Sequence, residues 1–356
     1  SGRRHIVSDR RYIYGELSDG EYINNFGRQS VKQKLLELLQ STEGFLSGQE
    51  LSDHLNVSRT AVWKVMKSLE EDGYEIEAVR NKGYSLKKEP DILTKESCAS
   101  RINTKWLGKN LMVYDVTDST NTRLKLAGEQ GAPNGSVAVA NAQEAGKGRL
   151  GRHWETPKGS ALAFSMLLRP QIQPENASML TLVAALAVSR AIDEFAGIKT
   201  QIKWPNDIVY QGKKLCGILT EMSADMDQIH YVIVGIGINV QMTDFPKEIQ
   251  NTATSLKLVT GKTLLRNELL AKVLEEFEVL YEFVEKLPHI LKPGGRVAIL
   301  TFHSGEDRIV KKTFKEMKNS GVYEDVCRNV IRPTKEECHR NSRAKSTKMR
   351  WAIKAK

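Results

Sequence analysis

A chain of 356 residues, 40% hydrophobic and 27% charged, has room for two or three compact domains at about 100–200 residues each; this excludes a mini-protein and wholesale disorder. No run approaches the roughly 18 consecutive apolar residues that cross a bilayer, and residues 1–30 carry arginines but no apolar signal core, so a soluble cytoplasmic protein with no membrane partner is expected. The formal charge of +10 is uneven: Lys286 to Lys356 hold 18 basic and 7 acidic residues, a net of +11, whereas residues 1–285 sum to −1. That asymmetry places a joint near residue 286 and fits either a nucleic-acid-binding ancestry or a merely solvated basic face. Cys98, Cys216, Cys327 and Cys338 lie far apart, so reduced thiols are expected rather than a disulfide framework or a four-thiolate zinc site.

Residues 1–30 form a leader without period or motif. From Val31 the apolar positions Val31, Leu35, Leu36, Leu38 and Leu39 trace a helical stripe. Ser47 and Glu50 then make the S-x-x-E capping box of a second helix carrying Leu51 and Leu55. After a short turn at Asn56-Val57, Ser58 caps a third helix with Val62, Val65, Met66 and Leu69 at i, i+3, i+4, i+7, and Gly73 ends it. This is helix–turn–helix spacing. The opposite face of the third helix carries Arg59, Thr60, Lys64, Lys67 and Ser68, side chains that donate to phosphates and base edges. Tyr74, Ile76 and Ala78, a turn at Asn81-Lys82-Gly83, then Tyr84 and Leu86 read as a hairpin wing with Arg80 and Lys82 at its tip. A winged helix over 31–90 that binds operator DNA is the expectation; a small helical bundle used for protein contacts is the alternative.

Glu89-Pro90-Asp91 reads as a linker, and residues 91–285 alternate strand-like and helix-like segments. Helices are expected at about 175–196 (Leu180, Val183, Ala184, Ala187) and 267–285 (Leu270, Val273, Leu274, Phe277, Leu280, Tyr281, Val284). Apolar strands are expected at 160–168, 215–219 and 231–240, which makes a mixed α/β layer. Gly146-Lys147-Gly148-Arg149-Leu150-Gly151-Arg152-His153-Trp154 satisfies G-x-G-x-x-G, yet a dinucleotide fold needs a helix directly after the glycines. Here Glu155-Thr156-Pro157-Lys158-Gly159 and a strand follow. Three glycines interleaved with Lys147, Arg149 and Arg152 fit a mobile loop wrapping a phosphate or carboxylate, or an ordinary basic surface loop. Asp118-Ser119-Thr120-Asn121 ends the strand Leu111 to Val116 and is either a polar ligand grip or a helix cap. Lys203-Trp204-Pro205-Asn206-Asp207 is a rigid turn, functional or structural. Lys213-Lys214-Leu215-Cys216-Gly217 brings ammonium groups to a strand start, as ligands or as a solvated pair.

In this order, DSTN, GKGRLGRHW, KWPND, KKLCGIL and VGIGINV, together with the winged helix, resemble the biotin protein ligase family in its bifunctional, operon-repressing form, over about residues 31–285. The resemblance implies an α+β protein: an N-terminal winged helix–turn–helix and a central mixed α/β catalytic domain of the class II synthetase-like type. It implies that biotin and ATP condense, with Mg²⁺, to biotinyl-5′-AMP. The biotinyl group then passes to a lysine of the biotin carboxyl carrier protein of acetyl-CoA carboxylase. By the same resemblance Arg149, Lys214 and Asp207 are catalytic: Arg149 and Lys214 offset the repulsion of two anions, and Asp207 orients or deprotonates the incoming lysine. Ser119, Thr120, Asn121, Gln143, Gly146, Lys147, Gly148, Arg149, Trp154, Lys214 and Gly217 bind biotin and the adenylate, with Trp154 as a wall or lid. Gly235-Ile236-Gly237 lets backbone approach the ligand, or relieves sheet crowding. No resident metal is assigned. The adenylate is implied to order surface loops, favour a homodimer and so place two winged helices on a palindromic operator.

The resemblance also implies a small barrel-like domain after the catalytic unit. Residues 286–356 instead carry LKPGGRVAILTFHS, Glu306-Asp307-Arg308-Ile309-Val310-Lys311, Arg332-Pro333 and Asn341-Ser342-Arg343-Ala344-Lys345-Ser346. These strings resemble the C-terminal end of ribosomal-RNA cytosine methyltransferases of the MraW type, a partial α/β segment. A methyl-donor site should precede them and is not found in residues 1–285, so methyl transfer is not expected. Phe302-His303-Ser304 and Glu306-Asp307-Arg308 read as structural leftovers, with lining part of a site as the alternative, and Cys327 with Cys338-His339 is too sparse for a metal site. The alternatives to an active ligase and repressor are a catalytically impaired, biotin-responsive DNA-binding protein and a ribosomal RNA methyltransferase.

Overall fold

In the computed structural model, residues 29–170, 172, 174, 177–203, 205–225, 228–301, 304–340 and 347–355 are described. Residues 1–28 of the leader, Trp204, Phe302, His303 and residues 341–346 lie outside them, as do the side chains of Ser304 and Glu306.

The first unit builds from α1 (Val31–Ser41), α2 (Gly48–Leu55) and α3 (Arg59–Glu71), closed by a hairpin of β1 (Glu75–Val79) and β2 (Gly83–Lys88). Local chemistry sets each start. The Ser30, Ser47 and Ser58 hydroxyls accept from Gln33, Glu50 and Ala61 backbone N–H groups, and Glu50 returns the bond to Ser47, completing the capping box. Asn56 ends α2 in the left-handed conformation that gives the turn its tightness. Leu35, Leu36, Leu39, Leu51, Leu55, Val62, Met66, Leu69 and Tyr74 bury one core. Val65 is half-buried and Ala78 exposed, so the stripe and the wing alternation each lose one position at the edge of this small core.

The second unit contains α4 (Lys95–Ala99), β3 (Leu111–Thr117), α5 (Thr120–Glu129), β4 (Ser136–Gln143), β5 (Ala161–Leu168), α6 (Ser178–Ala196), β6 (Gln201–Lys203), β7 (Asp207–Tyr210), β8 (Lys213–Ala224), β9 (Ile229–Asn239), α7 (Leu256–Thr260) and α8 (Arg266–Ile290). Seven strands form one sheet in the order β3-β4-β5-β9-β8-β7-β6, with β3–β4 parallel and the other pairs antiparallel. Strand alternation assigns the two faces. Val232, Val234, Ile236 and Ile238 of β9 point with Leu162, Phe164, Met166 and Leu168 of β5 into a core covered by α6 and α8. The odd residues of both strands face the other way, where α5 lays Leu124 on Ala138, Leu167, Tyr231 and Ile233. Farther along that second face β9 presents Gly235 and Gly237, and β8 presents Gly217. The expected helices and strands are present, with the first long helix beginning at Ser178; α5, β4, β6 and β7 were not singled out from the sequence.

The third unit is an antiparallel sheet of β10 (Arg296–Thr301), β12 (Lys348–Lys354) and β11 (Tyr323–Val326) in the order β10-β12-β11, with α9 (Ser304–Asn319) against it and α10 (Lys335–Arg340) between β11 and β12. Phe314, Tyr323 and Ala352 form its core, ringed by Val297, Ile299, Val310 and Met317. Asp307, on α9, is structural: its carboxylate accepts from Arg350 of β12 at 2.7 Å, tying helix to sheet. α9 also packs on α6. α8 runs unbroken through residues 285 and 286, so the second and third units share a helix.

Candidate functional site

Where β3 ends, the chain turns at Asp118 into α5. Ser119 is the N-cap by position, yet its side chain makes no capping bond. Asp118 fixes the turn instead. Burial works against its charge, but the Ser119 N–H (2.6 Å), the Thr117 hydroxyl and Arg123 more than compensate and hold the carboxyl below its usual range. This leaves Ser119, Thr120 and Asn121 buried on the glycine-bearing face of the sheet.

A hydrogen-bonded network sets their directions. Gln143 Oε1 accepts from the Thr120 backbone N–H (2.8 Å) and hydroxyl (3.1 Å), while Gln143 Nε2 donates to Thr156 Oγ1 (3.1 Å). The fully buried Ser165 hydroxyl is shared between Asn121 Oδ1 (2.6 Å) and Thr120 Oγ1 (2.7 Å), and Asn121 Nδ2 donates to Glu221 (2.6 Å). A Cβ on Gly235 would stand 2.1 Å from Asn121 Oδ1, so the bare strand is what lets that amide lie on the sheet.

The glycine-rich segment folds as a flap. Lys147 and His153 bridge, Gly148 N–H donates to Arg152 O (2.7 Å) and Trp154 N–H to Gly146 O (2.9 Å). At its tip, Arg149–Gly151 make a single 3₁₀ turn with Leu150 at φ 58° and 90% exposed. No α-helix follows the glycines directly; the next element is the strand β5, which disagrees with a dinucleotide-binding turn. Arg149 Nη1 donates to Asn206 Oδ1 (3.1 Å), and Asn206 is itself bonded to Ile218 of β8 through both its amide group and its backbone O. The Trp154 indole lies across Gly237 and Gly217, where added Cβ atoms would meet it at 2.4 and 3.0 Å. Lys214 Nζ sits 5.4 Å from that ring centroid and 2.8 Å from Asp207 Oδ1.

One pocket gathers these groups. Of the residues singled out from sequence, Ser119, Thr120, Asn121, Gln143, Lys147, Gly148, Arg149, Trp154, Lys214 and Gly217 line it. Gly146 does not; its hydrogen faces Trp154 O, which a Cβ would approach to 2.2 Å, so this glycine shapes the flap. Asp207 stands behind Lys214 rather than in the lining. Sequence reasoning missed Ser165, Asn206 and Glu221 as site residues. Ser165 had a signal, a lone hydroxyl in the apolar run ALAFSMLL; Asn206 lay in the quoted turn. Among the described residues, no three His, Cys, Asp or Glu side chains come together as a metal site.

On α3, Arg59, Thr60, Lys64 and Lys67 are exposed along one face, joined by Trp63, and Arg80 and Lys82 are exposed at the wing. Ser68 is half-buried and accepts from Lys32 Nζ at 2.8 Å. Lys67 pairs with Glu70 at 2.8 Å.

With this geometry in hand, comparison with known proteins is decisive. The Biotin/lipoate A/B protein ligase family model matches residues 113–239, which span α5, the flap and β9. The bifunctional ligase/repressor BirA of Bacillus subtilis is 44% identical over 257 residues, 71% of this chain and 79% of that protein. The chain belongs to the biotin protein ligase family. The Escherichia coli BirA is 32% identical over 258 residues, 78% of its length, and an HTH domain model matches residues 31–85 of this ligase. Its C-terminal part is of other descent: the MraW methylase family model matches residues 268–355. Ribosomal RNA small subunit methyltransferase H 1 of Agathobacter rectalis is 65% identical over 80 residues, but these are 23% of that protein. The MraW match begins inside α8, the helix that both parts share. No helix among the described residues is long and apolar enough to cross a membrane.

Proposed function

We propose that this ligase activates biotin with ATP to biotinyl-5′-AMP, releasing pyrophosphate, and transfers the biotinyl group to a lysine of the biotin carboxyl carrier protein of acetyl-CoA carboxylase. The observation that carries the reading is the mixed lining of the pocket. Neutral hydrogen-bonding groups (Ser119, Thr120, Asn121, Gln143) and cations (Lys147, Arg149, Lys214) line one pocket with the Trp154 indole; along the sheet Asn121 lies on Gly235, and the indole on Gly237 and Gly217 beside Lys214. A ureido ring matches the neutral groups, an aliphatic chain the indole, and a carboxylate meeting an α-phosphate the cations. Arg149, steadied by Asn206, and Lys214, steadied by Asp207, stabilise charge that develops as the phosphoanhydride breaks; Asp207 then orients or deprotonates the lysine amine. Magnesium would accompany ATP as part of the substrate and would offset triphosphate charge; among the described residues no group of three His, Cys, Asp or Glu side chains would hold it.

The pocket holds about 50 Å³, against about 300–1,000 Å³ for small-molecule sites. Ligand entry therefore requires the flap and Trp154 to swing outward. Adenylate formation, by drawing the flap back, favours a homodimer that sets two α3 helices on operator DNA. The exposed Arg59, Thr60, Lys64 and Lys67, with Arg80 and Lys82, support that second activity.

The full chain, incubated with biotin, ATP, Mg²⁺ and an isolated carrier domain, should add one biotinyl mass to the carrier. Arg149→Ala should slow adenylate formation by about 10²–10³-fold. A carrier of unchanged mass, with no biotinyl-AMP in the quenched mixture, would refute the enzymatic reading.

A further inference from the structure

α3 is seated by its inner face, where Val62, Met66 and Leu69 are buried, and Lys32 of α1 holds it through Ser68 (2.8 Å) and Asp72 (2.6 Å). One residue beyond Val62 the helix has turned by about 100°. Trp63 therefore stands outside the core, 52% exposed. Arg59 and Lys67, four residues before and after it, share its face, with Thr60 and Lys64 alongside; all four are exposed. The acidic residues Glu70 and Glu71 follow at the C-terminal end, so the indole and the basic residues occupy the N-terminal part of the helix.

An indole left half in water forgoes burial free energy, and among the described residues no ring or cation engages it. Its neighbours select what covers it. Lys67 is partly offset by Glu70, but Arg59 and Lys64 form no ion pair among the described residues. An apolar protein surface would desolvate these cations at a cost, and a second copy docked symmetrically would set them against their own kind. A polyanion does neither. The major groove of duplex DNA admits a helix, whose N-terminal residues then reach the base edges. Phosphates suit the cations, and the one apolar group that the base edges present there is the C5-methyl of thymine.

We infer that Trp63 is the base-reading residue of α3: its indole packs on thymine methyl groups in the major groove while Arg59, Lys64 and Lys67 hold the phosphates around it. The inference rests on the DNA-binding activity proposed above and adds which base the helix reads.

Fluorescence anisotropy of the full chain, with biotin, ATP and Mg²⁺ present, on two duplexes of equal length tests it. One is alternating dA–dT and the other alternating dA–dU, each closed by the same G·C ends, so that they differ only by the thymine methyl. Wild type should bind the thymine duplex about three-fold to ten-fold more tightly. That ratio should hold from about 50 to 200 mM salt while both affinities fall, because the methyl contact is uncharged. Trp63→Ala should bind both duplexes alike, and Trp63→Phe should keep most of the preference. Trp63→Gln, whose side chain suits a helix surface, repeats the measurement should Trp63→Ala lose stability. Equal affinity of wild type for the two duplexes, or a preference retained in Trp63→Ala and Trp63→Gln, would overturn the inference. A smaller oligomer in Trp63→Ala with the preference intact would do so too, by assigning the indole to a contact between copies. Wild type that binds neither duplex sinks the DNA-binding reading together with the inference, whereas binding without discrimination sinks the inference alone.

Discussion

Two glycines of β9 decide how the pocket is floored. Gly235 faces an amide that Ser165 and Glu221 grip from both ends, whereas Gly237 faces an indole on a flap. An added methyl group must therefore displace a pinned group in the first case and a movable one in the second. Gly235→Ala should cost about 1–3 kcal/mol of stability and reduce biotin affinity by more than Gly237→Ala; thermal melts and calorimetry on both would check the order. Cysteine chemistry offers a second test at this scale. Burial pushes the Cys98 thiol up to about 12, and the Cys216 thiol higher still, so neither is a nucleophile in the folded protein. Cys327 and Cys338 are only half-buried. Brief alkylation at pH 8 should add at most two groups to the native chain and four after unfolding, as read by mass. Early labelling of Cys98 or Cys216 would show that their cores open.

Among elements, α8 is the member that ties the molecule together. Its Glu278 accepts from the backbone N–H groups of Lys105, Trp106 and Leu107, capping a turn far away in sequence. Its first residue, Arg266, is 1% exposed and bonds to Asp91 of the linker, Asn141 of β4 and Ala161 of β5. Arg266→Ala would leave Asp91 without its charge partner and should destabilise the second unit by about 3–5 kcal/mol in denaturant melts. In the third unit, α9 is tied to β12 through Asp307. Partial burial opposes its ionisation, but the bonds from Arg350 and the charge of Lys348 win, and its carboxyl is held below the usual range. A carboxyl depressed in the folded state contributes its stability above the unfolded-state value and forfeits it as pH falls through the folded one. Asp307→Asn should therefore destabilise this unit at neutral pH and flatten its acid unfolding, followed by the near-ultraviolet signal of Trp351.

At the scale of the whole molecule, basic residues gather on the α3 face and in the segment from Lys286 onward with its net of +11, and we propose that both contact nucleic acid. Retention of nonspecific RNA should fall steeply between 50 and 200 mM salt, because each phosphate contact releases a counterion. Arg59→Ala and Lys64→Ala should each weaken duplex DNA binding by about ten-fold at fixed salt. Unaltered DNA retention in both variants would place the contact elsewhere.

Local chemistry was readable because it is local. Serine caps, the capping box and the i, i+3, i+4, i+7 stripe of α3 act within one or two helical turns, and the flap announced its lack of a following helix through Pro157 and Gly159. The sequence by itself thus determined the winged unit, the principal strands and most of the pocket lining. α5 stayed hidden because TNTRLKLAGE carries only a weak stripe, with Leu124 and Gly128 its buried nonpolar residues. Folding alone decided the pairing of Asn121 with Glu221 across 100 residues and of Arg149 with Asn206 across 57. It also decided the packing of α9, which comes from another family, on α6. Such neighbours are chosen by how sheet and helices stack, and stacking depends on the whole apolar surface being buried at once rather than on any segment's own pattern.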